Sequence, residues 1–567
     1  MLKNNRTKFF PCLVSLVAVL LFLSPETASA ITRGEFAAKL FETLGYQVLP
    51  EPNLPPDVPK THAYAKQIGS AVRYGVMPKT PFEPDDVIDR HGGIRMAISM
   101  MGWDFEASLY ESLSALPDFS GSGDSIFFMA SEMNPPAPAS LLLDGATPLS
   151  DTGGAAILNW VSECRKAVSW NRVFSFGGTD FIVYRQGVAR VGTPQQVSPD
   201  IPANVNPVGA PGNLPLFIVA AGVHMMDVDT RIAFASAFGE PRVPMSQFTQ
   251  SYDVIAAVNA GFFAEGRPIG SMIFEGNPTS NPLEGRSAIG WNNDDGTVAF
   301  GPGDGRFGVR TPGGFVQFDR FNIAPYANEA SFYPAGIMSA APGTALDAVL
   351  LAIRNGHVME KREASWGNLF LPDGGSLIVA RGNSRALLEG FGQGDQISIT
   401  ADWRTDAFAA CNNVIQAGPM LVRNGAPVMD NETFKKDLTD IRHPRTIVGT
   451  DGKRMIWVVI DGRSSVHSMG ATMDETRWIA RALGLTNAIN MDGGGSSQLI
   501  WRGIIANKPS DGKERPLPYA VLMMPKSTPM TQKRISQDPA GYFDAGTLID
   551  NPSAGAAPFT DTYNPYE

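Results

Sequence analysis

Cysteine, charge and long apolar runs are all scarce in this chain, and each scarcity excludes something. Three cysteines in 567 residues cannot make a disulfide framework. There is no CxxC, no HExxH and no nucleotide-binding glycine loop, so a zinc ribbon, a zincin and a nucleotide-loop enzyme are set aside. Charged residues make up only 18% of the chain and sum to −10. That balance argues against broad nucleic-acid binding and leaves room for a local basic pocket around a phosphate. Only one stretch, Leu13 to Leu23, is long and predominantly apolar, and it is too short to span a bilayer comfortably.

What is present begins with a processing pattern. Lys3, Arg6 and Lys8 precede that apolar stretch and Ala28-Ser29-Ala30 follows it, which reads as a secretory signal cut after Ala30, with an uncleaved anchor as the alternative. The expectation is an exported protein, periplasmic, cell-surface or extracellular, with no transmembrane segment in the mature chain. Cys12 falls inside the signal, and Cys164 and Cys411 read as two inert thiols rather than a bridge. A chain this long exceeds one core, and its 43% hydrophobic content is that of a globular protein, so two or three domains are expected.

Three segments resemble one another at a period of roughly sixty residues. They are Ile31-Thr32-Arg33-Gly34-Glu35, Ile88-Asp89-Arg90-His91-Gly92 and Leu149-Ser150-Asp151-Thr152-Gly153, each opening with a cap-capable residue and continuing as an amphipathic helix. Ala65 to Val72 and Asp124 to Met133 read as the helices that precede the second and third. The pattern resembles S-layer homology modules. Thr32-Arg33-Gly34-Glu35 is a near match, Asp89-Arg90 a partial one, and Ser150-Asp151 lacks the arginine. The resemblance implies cell-wall polysaccharide as a partner of the front half, and a plain helical scaffold is the alternative. The Pro/Gly-rich stretch Gly192 to Pro215 reads as a linker or long loop.

From Leu216 the texture changes to short apolar runs punctuated by Gly, Asn and Asp. Strands are expected at 217–222, 254–258, 348–353, 396–400, 455–460 and 488–491, with one strong helix from Asp474 to Leu483, capped by Thr472 and stopped by Gly484. The fold class is therefore α+β: a C-terminal domain built on a large mixed sheet with few helices, preceded by a helical repeat region. The chain divides into a signal at 1–30, helical repeats at 31–168, linker and entry strands at 169–215, the chemical domain at 216–524 and a Pro/Gly-rich tail at 525–567.

Within the chemical domain, Asn490-Met491-Asp492-Gly493-Gly494-Gly495-Ser496-Ser497 carries most. An apolar run delivers one carboxylate, and three glycines turn the backbone with no side chains in the way, so that successive N–H groups form an anion-binding concavity. A tight strand-to-strand turn is the plain reading of the same residues. Asn259-Ala260-Gly261-Phe262-Phe263 either presents the Asn259 amide to a sugar hydroxyl or makes a turn with two core aromatics. His443-Pro444-Arg445-Thr446 offers a guanidinium fork suited to phosphate, with His443 to donate to the same anion or move a proton. Ile460-Asp461-Gly462-Arg463 holds a carboxylate at the end of the strongest strand, and Glu475 is either a first-turn dipole partner or a cleft acid. Gln416 to Val422 reads as a cleft wall.

In this order the motifs resemble the phosphodiester glycosidase family, from about Leu216 to about Met524. Family sequences often have a second glycine where this chain has Ala260. The resemblance implies hydrolysis of a sugar joined through its anomeric carbon to a phosphodiester, on an envelope glycan or exopolysaccharide. It implies Arg445 and His443 as the phosphate clamp, aided by the amides of Gly493, Gly494, Gly495, Ser496 and Ser497. Asp461, Glu475 and Asp492 compete for the carboxylate roles, and Asn259 orients the sugar. A non-catalytic glycan-binding surface protein and a phosphodiesterase that cleaves P–O are the alternatives. No cofactor or metal is expected. The run Asn292-Asn293-Asp294-Asp295-Gly296 offers ligands for calcium, although a hairpin turn explains it better.

Overall fold

The computed structural model describes residues 30–526, apart from 118–123, 192–213, 239, 312–313, 336–339, 342–346, 364–368, 371–374, 387 and 430–431. The expected signal, the linker at 192–213 and the tail beyond 526 lie outside the described residues.

Six of the ten α-helices among the described residues fall between Arg33 and Lys166. Three begin at the look-alike segments, and each has its own cap: Thr32 Oγ1 accepts from the Glu35 amide, Asp89 Oδ1 from Gly92 and Ser150 Oγ from Gly153. A side-chain cap of this kind stabilises a helix end by about 1 kcal/mol. The strands leading into these caps close a three-membered ring. The Ile31 amide donates to Leu149 O, Leu149 to Ile88 O and Ile88 to Ile31 O. The helix before the second segment runs from Ala65 to Tyr74 and the one before the third from Ser125 to Glu132. The third capped helix extends to Lys166. Asp104–Ser114 is a further helix with no counterpart in the sequence-based expectation.

The back half is built from antiparallel sheets, not the mixed sheet expected. Among the described strands only the short Arg320–Phe321 and Ala330–Tyr333 pair runs parallel. The largest sheet has eight strands, in the order Ser169–Phe176, Thr179–Gln186, Leu216–Val223, Met455–Ile460, Arg445–Thr450, Asn487–Asn490, Met420–Arg423 and Ala426–Pro427. Every residue of Leu216–Val223 and of Met455–Ile460 is buried, which is why both read as unbroken apolar runs rather than alternating ones. The hairpin at 169–186 pairs in full register with Leu216–Val223 and so extends this sheet.

A five-stranded sheet lies next in the path of the chain, in the order Ile504–Ile505, Leu499–Trp501, Ala256–Asn259, Tyr519–Pro525 and Val228–Phe234. Asn487–Asn490 belongs to the first sheet and Leu499–Trp501 to the second, so the glycine turn between them is the crossover. The strand expected at 396–400 is found at Ile399–Trp403, and the expected helix at Met473–Ala482. Asn292 to Gly296 forms the hairpin turn between Ser287–Trp291 and Val298–Pro302, with Gly296 in the left-handed region at φ 74°.

One hydrophobic core runs without a break from Ile31 to Met523, joining the front helices to the first two sheets. Trp103 donates from Nε1 to Gly187 O at 2.9 Å, and the Tyr110 and Trp170 rings meet edge to face. Phe105 from the helical half sits edge-on to Phe217 of the eight-stranded sheet at 5.5 Å. A separate core between Ile273 and Val414 serves the sheets of the middle segment. Among the described residues no helix is long and apolar enough to cross a membrane. Cys164 and Cys411 are free, and burial pushes their thiols up to about 12 and about 11, consistent with inert side chains.

Candidate active site

Strand register gathers the sequence-flagged residues at one end of the central strands of the large sheet. Arg445 opens its strand opposite Ile460, Asp461 follows Ile460, and Ile447 faces Asn490 just before the glycine turn. The turn is stitched to its neighbours by backbone bonds: Asp492 N donates to Ala260 O, Met491 N to Thr446 O and Gly494 N to Pro444 O. Gly494 takes φ 61°, which favours glycine. Ser496 N and Ser497 N close the short helical turn onto Gly493 O and Gly494 O, and the N–H groups of Gly493 and Gly495 donate to no backbone carbonyl among the described residues.

Asn259, expected to present its amide to a sugar, is only 1% exposed. Its Nδ2 donates to Asp492 O at 2.8 Å, and its Oδ1 accepts from Thr446 Oγ1 and the Gln498 amide. In this arrangement the side chain shapes the turn. Gln416 is likewise fully engaged, accepting from the Ser271 and Leu283 amides and donating to Leu283 O and Arg286 O, so it braces the wall it was expected to form.

Arg445, expected as the phosphate clamp, is engaged with backbone carbonyls. It is 1% exposed, and it donates to the carbonyl oxygens of Ala471, Leu438 and Ile441. Glu475 reciprocates the Thr472 cap and pairs with Arg442 at 2.5 Å and 3.0 Å, so the dipole-and-cap role is the one observed. Asp461 is buried at the strand end. Its Oδ2 accepts from His467 Nε2 at 2.7 Å and from Lys508 N, while Oδ1 accepts from Asn507 Nδ2. Of the three competing carboxylates, Asp492 alone is half-exposed, on the turn itself.

His443 is half-buried beside the turn, and its Nε2 meets Asp437 O at 3.1 Å. A carbonyl can only accept, so Nε2 carries the proton and Nδ1 is the bare nitrogen. Burial, followed by the nearby Arg445 and Arg463 cations, depresses its pKa below the ordinary histidine value. The resting imidazole is therefore neutral and presents an acceptor, which suits proton transfer better than donation to an anion.

Two cations that the sequence expectation overlooked flank the glycines. A Cβ placed on Gly494 would lie 3.0 Å from an Arg463 guanidinium nitrogen, and one on Gly495 would strike Arg515 and Asp511. Arg463 is exposed and held at φ 62°, and Arg515 is paired to Asp511 at 2.8 Å. Arg463 stands two residues after Asp461, so its position in the motif was available as a signal; Arg515 lies in a loop that nothing in its local sequence marks.

Several buried polar atoms around the turn have no hydrogen-bond partner among the described residues: Ser496 Oγ, Asn490 Oδ1, Gln498 Oε1 and His443 Nδ1. Folded proteins rarely bury such atoms unsatisfied, and each costs roughly 1–3 kcal/mol unless something meets it. Asn490 Oδ1, Gln498 Oε1 and the bare His443 Nδ1 are acceptors that suit a hydroxyl-bearing group, and only Ser496 Oγ can donate to an anion. Among the described residues no group of three or more His, Cys, Asp or Glu side chains is placed to hold a metal ion.

The chain is 37% identical over 105 residues to the SPβ prophage-derived uncharacterized protein YomE of Bacillus subtilis strain 168, covering 18% of this chain and 16% of that one. The chain thus spans about a sixth of the length of that curated relative. A hypothetical protein from Synechocystis superposes with a TM-score of 0.45 at 19% identity, over 63% of this chain and 76% of that chain. The zebrafish N-acetylglucosamine-1-phosphodiester α-N-acetylglucosaminidase catalytic domain, auto-inhibited by its pro-peptide, gives 0.31 at 14% identity over 63% of this chain and 88% of its own. Residues 347–524, which include the glycine turn, match the family model of the phosphodiester glycosidases.

Proposed function

We propose that the protein is a hydrolase that releases a sugar from a glycosyl phosphodiester, with the reaction centred on Asp492 and the glycine turn. The observation that carries this reading is the juxtaposition of two guanidinium groups, Arg463 and Arg515, for a phosphate with acceptors for sugar hydroxyls, Asn490 Oδ1 and Gln498 Oε1, which have no partner among the described residues. Water adds to the anomeric carbon, the C–O bond to phosphate breaks, and the phosphate monoester leaves with the electron pair. Such a leaving group is already acidic, so it needs cationic contact more than a proton. Arg463, Arg515 and the amides of Gly493 and Gly495 supply that contact, His443 Nδ1 takes the proton from the attacking water, and the Asp492 carboxylate steadies positive charge at the anomeric carbon.

Export and an envelope glycan or exopolysaccharide as the physiological substrate belong to the same proposal. They rest on the sequence pattern of residues 1–30 and on the S-layer-like segments, whose attachment to wall polysaccharide is likewise proposed. The deciding experiment is hydrolysis of UDP-GlcNAc and a synthetic GlcNAc phosphodiester in oxygen-18 water, with Asp492→Asn alongside. Label in the released sugar, lost in the variant, supports glycosidic cleavage. Label in phosphate means that P–O is cleaved, and no turnover on any sugar phosphodiester favours a glycan-binding protein.

A further inference from the structure

A chain of four buried charges crosses the junction between the helical half and the sheets. Glu106, on the Asp104–Ser114 helix, is 0% exposed. Its Oε1 lies 2.7 Å from Arg185 Nε and 3.2 Å from His467 Nδ1. The other ring nitrogen of His467 lies 2.7 Å from Asp461 Oδ2. Asp461 Oδ1 then accepts from Asn507 Nδ2, which also donates to Ser497 O at 3.1 Å, while Asn507 Oδ1 accepts from the Leu499 amide. Contact therefore passes without a gap from the front helix to the last residue of the glycine turn.

We infer that Glu106 is a positioning residue of the candidate site, fixing the closing end of the glycine turn through His467, Asp461 and Asn507. Glu106 meets Arg185 Nε and His467 Nδ1 as ion pairs without hydrogen-bond geometry, so it acts on the ring by charge, while the 2.7 Å bond at Nε2 holds Asp461 Oδ2 in place. Arg185 balances the second negative charge, and its remaining nitrogens donate to Gln186 O, Gly102 O and Val466 O. The groups that face His467 are Glu106 from the helix, Asp461 from the strand end, and the Phe105 and Phe217 rings. Burial alone would discharge this imidazole, but Glu106 and Asp461 outweigh it and raise its pKa. Apolar side chains of the same volume would join the two halves at least as firmly. The charged arrangement adds direction, which a catalytic turn needs and a plain interface does not.

This inference rests on the proposed reaction, and the test separates the two. The chain has only six histidines, so histidine-labelled full-length protein gives a tractable NMR spectrum. With Glu106→Gln, His467 is expected to titrate at lower pH, and kcat to fall about tenfold to a hundredfold with KM within about twofold, as for a small misplacement of reacting groups. Because an unpaired Arg185 can unfold the protein, the double variant Glu106→Gln/Arg185→Met removes both charges, and the same two changes are expected. An unmoved His467 titration in a folded variant overturns the inference, and so does a moved titration with unchanged kcat. Should the wild type hydrolyse no glycosyl phosphodiester, the proposed reaction fails by itself. The coupling is then read from the Gly493, Gly494 and Gly495 amide signals in glycine-labelled protein: displacement by Glu106→Gln supports it and identical signals overturn it.

Discussion

Asn259 Nδ2 donates to Asp492 O at 2.8 Å across 233 residues of sequence, tying the end of a central strand in one sheet to the carboxylate-bearing turn that leaves the other. The same side chain accepts from Thr446 Oγ1 and the Gln498 amide. Asn259→Ala strands those buried donors and frees the turn, so it is expected to lower stability by about 2–4 kcal/mol and to reduce kcat. Urea unfolding read beside steady-state kinetics checks this. A variant of native stability with a greatly raised KM would instead place the Asn259 amide on the sugar.

Arg445 and Arg463 separate structural from chemical arginines. Arg445→Ala removes a buried guanidinium and its bonds to one buried and two part-buried carbonyl oxygens, so it is expected to cost about 1–3 kcal/mol and to lower Tm. Arg463→Ala and Arg515→Ala remove exposed or half-exposed groups above the turn. They are expected to keep a near-native Tm while lowering kcat/KM about 10–100-fold, the scale of losing one donor to developing charge. An inactive Arg445→Ala protein of unchanged Tm would return the phosphate clamp to Arg445.

The depressed pKa of His443 sets the acid side of the pH profile. Catalysis through Nδ1 needs the neutral ring, so kcat/KM rises with pH and reaches half its plateau below the ordinary histidine value of about 6.5. A folded-state pKa below the unfolded one means that folding favours the neutral form. This stabilisation is present above the unfolded pKa and is lost as pH falls toward and through the folded one. His443→Gln is expected to abolish the acidic limb along with most of the rate; a limb unchanged in that variant assigns it to another group.

Local signals made much of this legible. Met455–Ile460 was marked by six apolar residues, and the Met473–Ala482 helix by Thr472, Glu475 and Gly484 at cap positions. The glycine turn was evident because three consecutive glycines after a carboxylate have few structural uses. What stayed hidden depended on how loops fold back, whether their partners are four to seven residues away or more than twenty. Nothing near Arg445 says that its fork will meet the carbonyls of Leu438, Ile441 and Ala471, and nothing near Asp461 says that it will be enclosed by His467, Asn507 and Lys508. Arg515 reaches the turn only through a tertiary fold. The Asp104–Ser114 helix was within reach, since Asp104 and Glu106 stand in its first turn and Leu109 and Leu113 follow at helical spacing, but the preceding Gly102 reads as a stop.

Removing the helical half gives the broadest test. The sequence suggests that a chain starting near Val168 keeps its activity on a soluble substrate, because the repeats look separable. The structure points the other way. Truncation uncovers Phe217 where Phe105 packs, deprives the Gly187 and Ala189 backbone of Trp103 and Met101, and leaves Arg185 buried beside an empty space where Glu106 stood. Losing one partner of a buried charge pair alone costs about 3–5 kcal/mol, and total domain stability is about 5–15 kcal/mol. The truncated chain is therefore expected to be insoluble or to unfold at much lower urea, with no turnover, and co-expressing the missing half as a separate chain is expected to restore part of both. A soluble truncated protein with full activity would make the helical half an accessory and the Glu106 contact dispensable.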